Sequence, residues 1–386
     1  MLTKNIKFKN FLIKSSIFGV RKELKKLLNS NNEILNSLSL KYKYSYSKRI
    51  VKKYKKFSKL RIIGMGGSIL GTEAIYSFLK HKIKKNFSFI NNLKTNIVKK
   101  RERKIINLIV SKSGNTLETI SNSNVLIHKN DKNIFLTEKS DNYLRNFAQK
   151  LKAEIIDHNN FIGGRYSVLS EVGMLPIELA GLNPKKFKQL NFLIKNKNFI
   201  NALINNVSSS IGLIKKKKYS SIILNYDEKS ENFFKWYQQL LAESLGKKAK
   251  GVLPVISSMP KDNHSLMQLY LDGPKKNFYT FFYVFNKNLA KINGNKILPS
   301  HKHLKSKKLE QILYSQKLAT EKIFSRKKIP FRSFEILKRD EKTMGELFCF
   351  FILETILLGR SLGVNPFDQP SVELIKKETK KFLLKS

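Results

Sequence analysis

Apolar positions along the chain fall into two rhythms. Short β-branched runs alternate with longer stretches whose apolar residues recur at helical spacing, the pattern of a parallel sheet covered by helices. Residues 60–63 (LRII) predict a strand that ends in Gly64-Met-Gly-Gly-Ser68 and feeds a helix from about Thr72 to Leu79. Residues 104–110 predict a second strand, ending in Ser111-Lys-Ser-Gly-Asn-Thr116 before a helix from Leu117, and residues 133–137 a third. Both turns fall at the carboxyl ends of strands, where open α/β sheets place their ligands. Residues 191–210 read as a connecting helix. A second α/β unit opens at residues 220–225, with a helix over 233–244 and strands expected at 253–256 and 278–285. From Leu309 the pattern is mostly helical and ends in a Lys-rich helix after Pro370. The expected division is a basic helical segment at 1–50, α/β domains at 51–190 and 191–360, and a C-terminal segment at 361–386.

A chain of 386 residues buries a sizeable core without covalent staples, and its single cysteine, Cys349, leaves no disulfide framework. The longest apolar stretch, residues 347–358, is twelve residues long and contains Glu354, well short of the ~18–20 apolar residues needed to span a bilayer. The basic N-terminal residues raise a transit peptide. With one arginine and no small-residue cleavage site, export is not expected, and the cytoplasm is.

The net charge of +47 suggests nucleic acid at first sight. Its make-up argues otherwise. There are 64 lysines, 36 asparagines and only 11 arginines, whereas phosphate-reading surfaces draw on the planar fork of arginine. A compositionally biased, solvated surface is the expectation, with no specific nucleic-acid partner.

Several motifs carry chemistry. The turn GMGGSILG (64–71) opens a helix with glycines that let a backbone approach a ligand closely, though it lacks the spacing of the dinucleotide fingerprint. SKSGNTLET (111–119) crowds four hydroxyls and Lys112 at a strand-to-helix junction. Those groups match a phosphate monoester; the alternative is an ordinary cap by Ser113, or by Asn115 paired with Glu118. Arg165 follows two glycines and suits an anion or an oxyanion transition state, or a plain helix-start charge. Glu243, near the glycine stop of an apolar helix, is a candidate base, and His264 stands among polar residues. No cluster has metal-ligand spacing.

In order, GMGGSILG, SKSGNT, GGRYSVLSEVGMLP, ESLGK, DNHSLMQLYLDGP and NPFDQPSVELIK resemble the glucose-6-phosphate isomerase (phosphoglucose isomerase) family in its shorter bacterial form, over residues 64 to 376. The resemblance implies two sugar-isomerase (SIS) α/β domains, each a doubly wound parallel sheet in a three-layer αβα sandwich, with a helical C-terminal segment. It implies reversible isomerisation of glucose 6-phosphate and fructose 6-phosphate through a cis-enediolate, in glycolysis and gluconeogenesis. No metal or organic cofactor is implied, and the assembly would be a homodimer. By resemblance Glu243 is the base, and His264 opens the ring from the neighbouring subunit. Lys376 is the C-terminal lysine of the site, and Arg165 steadies the enediolate. Ser111, Lys112, Ser113 and Thr116 would hold the phosphate, with Gly67, Ser68, Gln239 and Gln369 near the sugar. Ser371 stands where a glycine is usual, and Met259-Pro-Lys replaces a more glycine-rich approach to the histidine. A non-catalytic phosphosugar sensor is the competing reading, but no helix-turn-helix segment is evident before residue 60. Use of mannose 6-phosphate is left open.

Overall fold

The structure is a computed structural model that describes residues 1–13, 16–93, 105–128, 130–286 and 290–385. Two five-stranded sheets organise it. The first takes β2 (Lys59–Gly64), β3 (Asn86–Ile90), β4 (Ile105–Val110), β5 (Lys132–Thr137) and β6 (Glu154–Asp157). Their order is β3-β2-β4-β5-β6, all parallel. Lys104, expected to begin the second strand, lies outside the described residues.

Every residue of β4 is buried, as a central parallel strand requires. Ile62, Leu108 and Leu136 pack on one face of this sheet and Ile63, Ile109 and Phe135 on the other. The result is a sandwich with helices outside both faces. The chain runs from β2 out to β3 and then returns across β2 to β4. Its switch point therefore lies between the ends of β2 and β4, where the two polar turns begin.

The second sheet takes β1 (Ile6–Lys9), β7 (Ser220–Asn225), β8 (Leu253–Ser258), β9 (Asn277–Val284) and β10 (Phe331–Ile336), in the order β1-β10-β9-β7-β8. Only β1 is antiparallel, paired edge-on to β10. Segment 1–50, expected as a basic helical opening, thus supplies a strand to the second sheet. Ile222, Leu224 and Phe281 pack on one face of that sheet, and Ile223, Phe282 and Phe334 on the other.

Strand β10 interrupts the region expected to be helical from Leu309. Its sequence, FRSFEI, places Arg332 and Glu335 among apolar residues, which masks the strand pattern. Both charges are paired inside: Glu335 Oε1 accepts from Lys317 at 2.6 Å, and Arg332 meets Glu354. The helix Glu341–Ser361 is apolar nearly all round because it is buried nearly all round. Glu354 accepts from Asn206 Nδ2 at 2.6 Å and from the Tyr237 hydroxyl at 3.0 Å, which accounts for a carboxylate in that apolar run. The connecting segment is two helices, Leu190–Leu193 and Lys197–Lys215, the second capped by Asn196.

The helix Glu231–Leu245 packs on both Leu70–Leu79 of the first unit and Glu341–Ser361 of the second. One apolar cluster runs through all three, from Ile75 and Phe78 to Phe233, Trp236 and Phe348. This helix carries Gln239 and Glu243 to the junction between the sheets.

Candidate active site

At the end of β2 the chain turns through a short 3-10 segment, Gly66–Ser68, with Gly66 at φ +52°. Only close packing explains Gly67. A Cβ there would stand 2.1 Å from the carbonyl carbon of Gly164, so two glycine turns from opposite ends of the first unit interlock. Ser68 lies half-buried beside them. The second turn delivers Arg165, which is 2% exposed despite its charge.

A buried guanidinium needs every donor satisfied. Arg165 Nε donates to Ser244 Oγ at 2.8 Å and Nη1 to Gln369 Oε1 at 2.6 Å. Its Nη2 donates to the backbone oxygens of Pro366 at 2.7 Å and Asp368 at 3.1 Å. Trp236 Nε1 donates to the Arg165 carbonyl at 3.1 Å, and the Tyr166 hydroxyl reaches both Ser244 and Pro366. Glu243 Oε1 stands 3.7 Å from Arg165 Nη1, and its Oε2 accepts from Gln239 Nε2 at 3.0 Å. Gln239 and Glu243 are four apart on one helix, so they share a face. The Gln239 Oε1 atom is buried and has no partner.

At the end of β4, Ser111 and Thr116 join through their hydroxyls at 2.8 Å. Gly114 takes φ +66°, and a Cβ there would collide with Asn142 Oδ1 at 1.8 Å. The helix Leu117–Leu126 begins at Thr116 with no side-chain capping bond. Asn115 Oδ1 instead accepts from the Tyr143 backbone, and Ser113 Oγ accepts from the Asn115 N–H at 3.3 Å. Neither of the alternative caps forms. The orphan N–H groups of a helix start therefore remain beside two hydroxyls and Lys112, an arrangement suited to a phosphate. The Lys112 ammonium donates to the Asn160 carbonyl at 2.7 Å, and burial lowers its pKa.

Arg165, Glu243, Gln239 and Gln369 thus come together over the Gly67 turn. Two expected residues stand apart from that cluster within the chain. His264 closes a short 3-10 turn, Lys261–His264, which follows β8 and is pinned by Asp262 accepting from Ser257 and Ser258; its ring is exposed. Lys376 lies on the exposed helix Val372–Leu383, 2.6 Å from Glu373. Among the described residues no group of three or more His, Cys, Asp or Glu side chains is placed to hold a metal. No helix among them is long and apolar enough to cross a membrane.

Sequence reasoning missed Ser244, Tyr166 and the carbonyls of Pro366 and Asp368. The first two sit inside quoted motifs beside Glu243 and Arg165. The carbonyls carry no side-chain signal at all.

Residues 45–258 match the family model described as phosphoglucose isomerase. The chain belongs to the phosphoglucose isomerase family. It is 33% identical over 340 residues to the glucose-6-phosphate isomerase of Methanocaldococcus jannaschii, covering 82% of each chain. The fold is shared with a hypothetical protein of Thermus thermophilus, at TM-score 0.83 and 23% identity, covering 95% of this chain and 94% of that one. It is also shared with a glucose-6-phosphate isomerase of Chlamydia trachomatis, at TM-score 0.72 and 18% identity, covering 91% and 77%. Within the phosphoglucose isomerase family this chain keeps the two-sheet architecture in 386 residues.

Proposed function

We propose that this chain interconverts glucose 6-phosphate and fructose 6-phosphate, as an isomerase working through an enediolate. The observation that carries the reading is the partly exposed Glu243 carboxylate facing a guanidinium held at each of its three nitrogens, with one Nη1 N–H not engaged by those acceptors. Moving a carbonyl between adjacent carbons takes a proton from one and returns it to the other, and one carboxylate serves both transfers. General-base action of this kind contributes typically ~10²–10⁴-fold. The enediolate gathers negative charge, and the Arg165 guanidinium is pre-oriented beside Glu243 to receive it. Ser111, Lys112, Ser113, Thr116 and the helix start behind them anchor the phosphate. Binding energy far from the reacting carbons then fixes the geometry. Gly67, Ser68, Gln239 and Gln369 border the sugar in this reading.

The test is formation of glucose 6-phosphate from fructose 6-phosphate by purified protein without added metal. Glu243→Gln abolishes turnover and retains phosphosugar binding; an undiminished rate in that variant removes Glu243 as the base.

His264 and Lys376 complete the proposal. In a homodimer the exposed His264 of one protomer reaches the site of its partner and opens the sugar ring, while Lys376 assists at the same oxygens. That Gln369 and Asp368 are held by Arg165 supports this role for Lys376, because they tie the chain to the site just before its helix. Mixed dimers of Glu243→Gln and His264→Ala protomers decide it. A histidine acting in trans restores one working site per mixed dimer, whereas one acting in cis restores none. We place the chain in the cytoplasm, in glycolysis and gluconeogenesis, with α/β domains at 51–190 and 191–360.

A further inference from the structure

The sequence block that carries Arg165 also carries a glutamate that the reaction does not use. Glu171 begins the helix Glu171–Leu179 and is wholly buried. Its Oε1 accepts from the backbone N–H of Asn159 at 2.8 Å, and its Oε2 accepts from the Tyr42 hydroxyl at 2.8 Å. Burial raises its pKa, and those donors together with the nearby Lys188 charge oppose the rise.

The other members of this cluster converge on the same segment. Lys188, also buried, donates to the carbonyls of Ser37 and Leu169, with its ammonium 4.9 Å from the ring centres of both Tyr42 and Tyr44. Leu169 ends the 3-10 segment Gly164–Leu169 that bears Arg165. Asn159 lies six residues before Arg165, and the next carbonyl, that of Asn160, receives Lys112 from the phosphate loop. Glu171 and Lys188 therefore grip the Arg165 segment from its two ends.

The phosphate loop has its own anchor. The Lys112 carbonyl accepts from Thr137 Oγ1 at 3.1 Å and from the Glu138 N–H at 3.0 Å, both on the β5 side. The loop backbone is thus held from the β5 side and its Ser111 and Thr116 hydroxyls by each other, so that of the phosphate-loop groups only the Lys112 ammonium meets residues 159–165, which Glu171 holds.

We propose that Glu171, with Tyr42 as its partner, is a positioning residue that sets the distance between the phosphate loop and Arg165. The inference rests on the proposed roles of Lys112 and Arg165. Its signature is a split between two readouts. A small displacement of a reacting group costs catalysis, up to ~10²-fold for 1 Å, without loosening a remote anchor.

The experiment compares wild type with Glu171→Leu, Glu171→Gln and Tyr42→Phe. It measures kcat for fructose 6-phosphate, the Ki of inorganic phosphate as a competitor, and Tm. Glu171→Leu lowers kcat by about 10-fold or more, while the Ki of phosphate changes by less than about two-fold. Glu171→Gln keeps an acceptor for the Asn159 N–H and recovers most of kcat. Tyr42→Phe removes one hydroxyl, leaves the ring over Lys188, and lowers kcat in the same direction by a smaller factor. It carries the test if Glu171→Leu does not fold. Unchanged kcat in the folded variants overturns the proposal, and so does a phosphate Ki that rises in step with the loss of kcat. Arg165→Lys and Lys112→Ala, run in parallel, test the underlying site. If neither affects turnover or phosphate binding, the functional reading fails. If both do and the Glu171 series does not, only this inference fails.

Discussion

Arg165 Nη1 stands 3.7 Å from Glu243 Oε1, and the two differ sharply in exposure: the arginine side chain is 1% exposed and the glutamate side chain 22%. Ser244, Gln369, Pro366 and Asp368 together hold Nε and both terminal nitrogens of the guanidinium. The charge is fixed, and the carboxylate beside it is partly exposed. A fixed cation beside a partly exposed carboxylate suits the proposed reaction, in which a proton moves between two adjacent carbons while negative charge builds in one place.

Replacing Arg165 by lysine keeps the charge and loses the fork. Lysine presents a single nitrogen, so Ser244, Gln369 and the Pro366 and Asp368 carbonyls cannot all be satisfied. The expected outcome is a kcat lower by roughly 10²–10³-fold, the range for losing a preorganised oxyanion donor, with a smaller change in KM. Steady-state kinetics on fructose 6-phosphate check it. A variant with wild-type kcat would mean that the guanidinium serves packing alone.

The phosphate loop makes the opposite forecast. If residues 111–116 hold the phosphate as proposed, Lys112→Ala and Thr116→Val remove attraction made equally in ground and transition states, so KM rises and kcat changes little. The Lys112 effect shrinks as salt is added, because the ammonium is only partly buried. Inhibition by inorganic phosphate, titrated at several ionic strengths, separates the lysine from the hydroxyl.

Gly67→Ala tests the interlock of the two glycine turns. The added methyl would stand 2.1 Å from one Gly164 backbone atom and 2.3 Å from another, with no flexible side chain available to yield. Overpacking of this kind costs about 1–3 kcal/mol, and here the displaced backbone leads straight into Arg165. Urea denaturation should show the loss of stability and kinetics a lowered kcat. Wild-type behaviour in both would mean that the two turns separate without cost.

How much of this was legible beforehand depended on how each residue spends its side chain. Strands β2, β4 and β7 announced themselves because burial on both faces makes their sequences predominantly apolar, even with Arg61 in β2 and Asn107 in β4. Strand β10 hid because Arg332 and Glu335 interrupt its apolar run and find their partners, Glu354 and Lys317, on neighbouring helices. Strands β3 and β6 lie at the two edges of their sheet, and each is short, with only one fully buried residue. In the site, Arg165 stood out as a scarce residue after two glycines. Its acceptors on Pro366 and Asp368 are backbone atoms some two hundred residues away, which no local pattern encodes. That neither alternative cap, at Ser113 or Asn115, would form was equally hidden, since Asn115 is engaged by Tyr143 from the next helix.

His158 gives a pH forecast. Its ring is buried, and burial pushes its pKa down to about 4 against a contrary hydrogen bond to the Asn159 carbonyl. Between that value and the unfolded value of about 6.5, the unfolded chain binds more protons than the folded one, so stability rises with pH across the window. The contribution is complete above pH 6.5 and is lost as pH falls toward 4, on the order of 3 kcal/mol in all. Glu171 nearby, with its pKa raised by burial, acts in the opposite sense, so a comparison of variants is needed. His158→Gln should flatten the acid limb of a denaturation-versus-pH series relative to wild type. An unchanged slope would assign acid sensitivity to other groups.

The buried pair of Arg332 and Glu354 makes the last forecast, one about stability alone. Arg332 also donates to Asn206 Oδ1 at 2.8 Å and to Thr280 Oγ1 at 2.9 Å, while Glu354 accepts from Asn206 and Tyr237. Both side chains are almost wholly buried, with only 2% and 1% exposed. Removing one charge strands the other in a medium that solvates it poorly, and breaking such a pair costs about 3–5 kcal/mol. Glu354→Leu should therefore destabilise strongly, and Arg332→Met likewise. The double variant should recover much of the loss, because burying two apolar side chains avoids the desolvation of both ions. Urea titration of all four proteins measures the coupling directly. Additive losses would mean that Asn206, Thr280 and Tyr237 hold each charge independently and that the ion pair contributes nothing of its own.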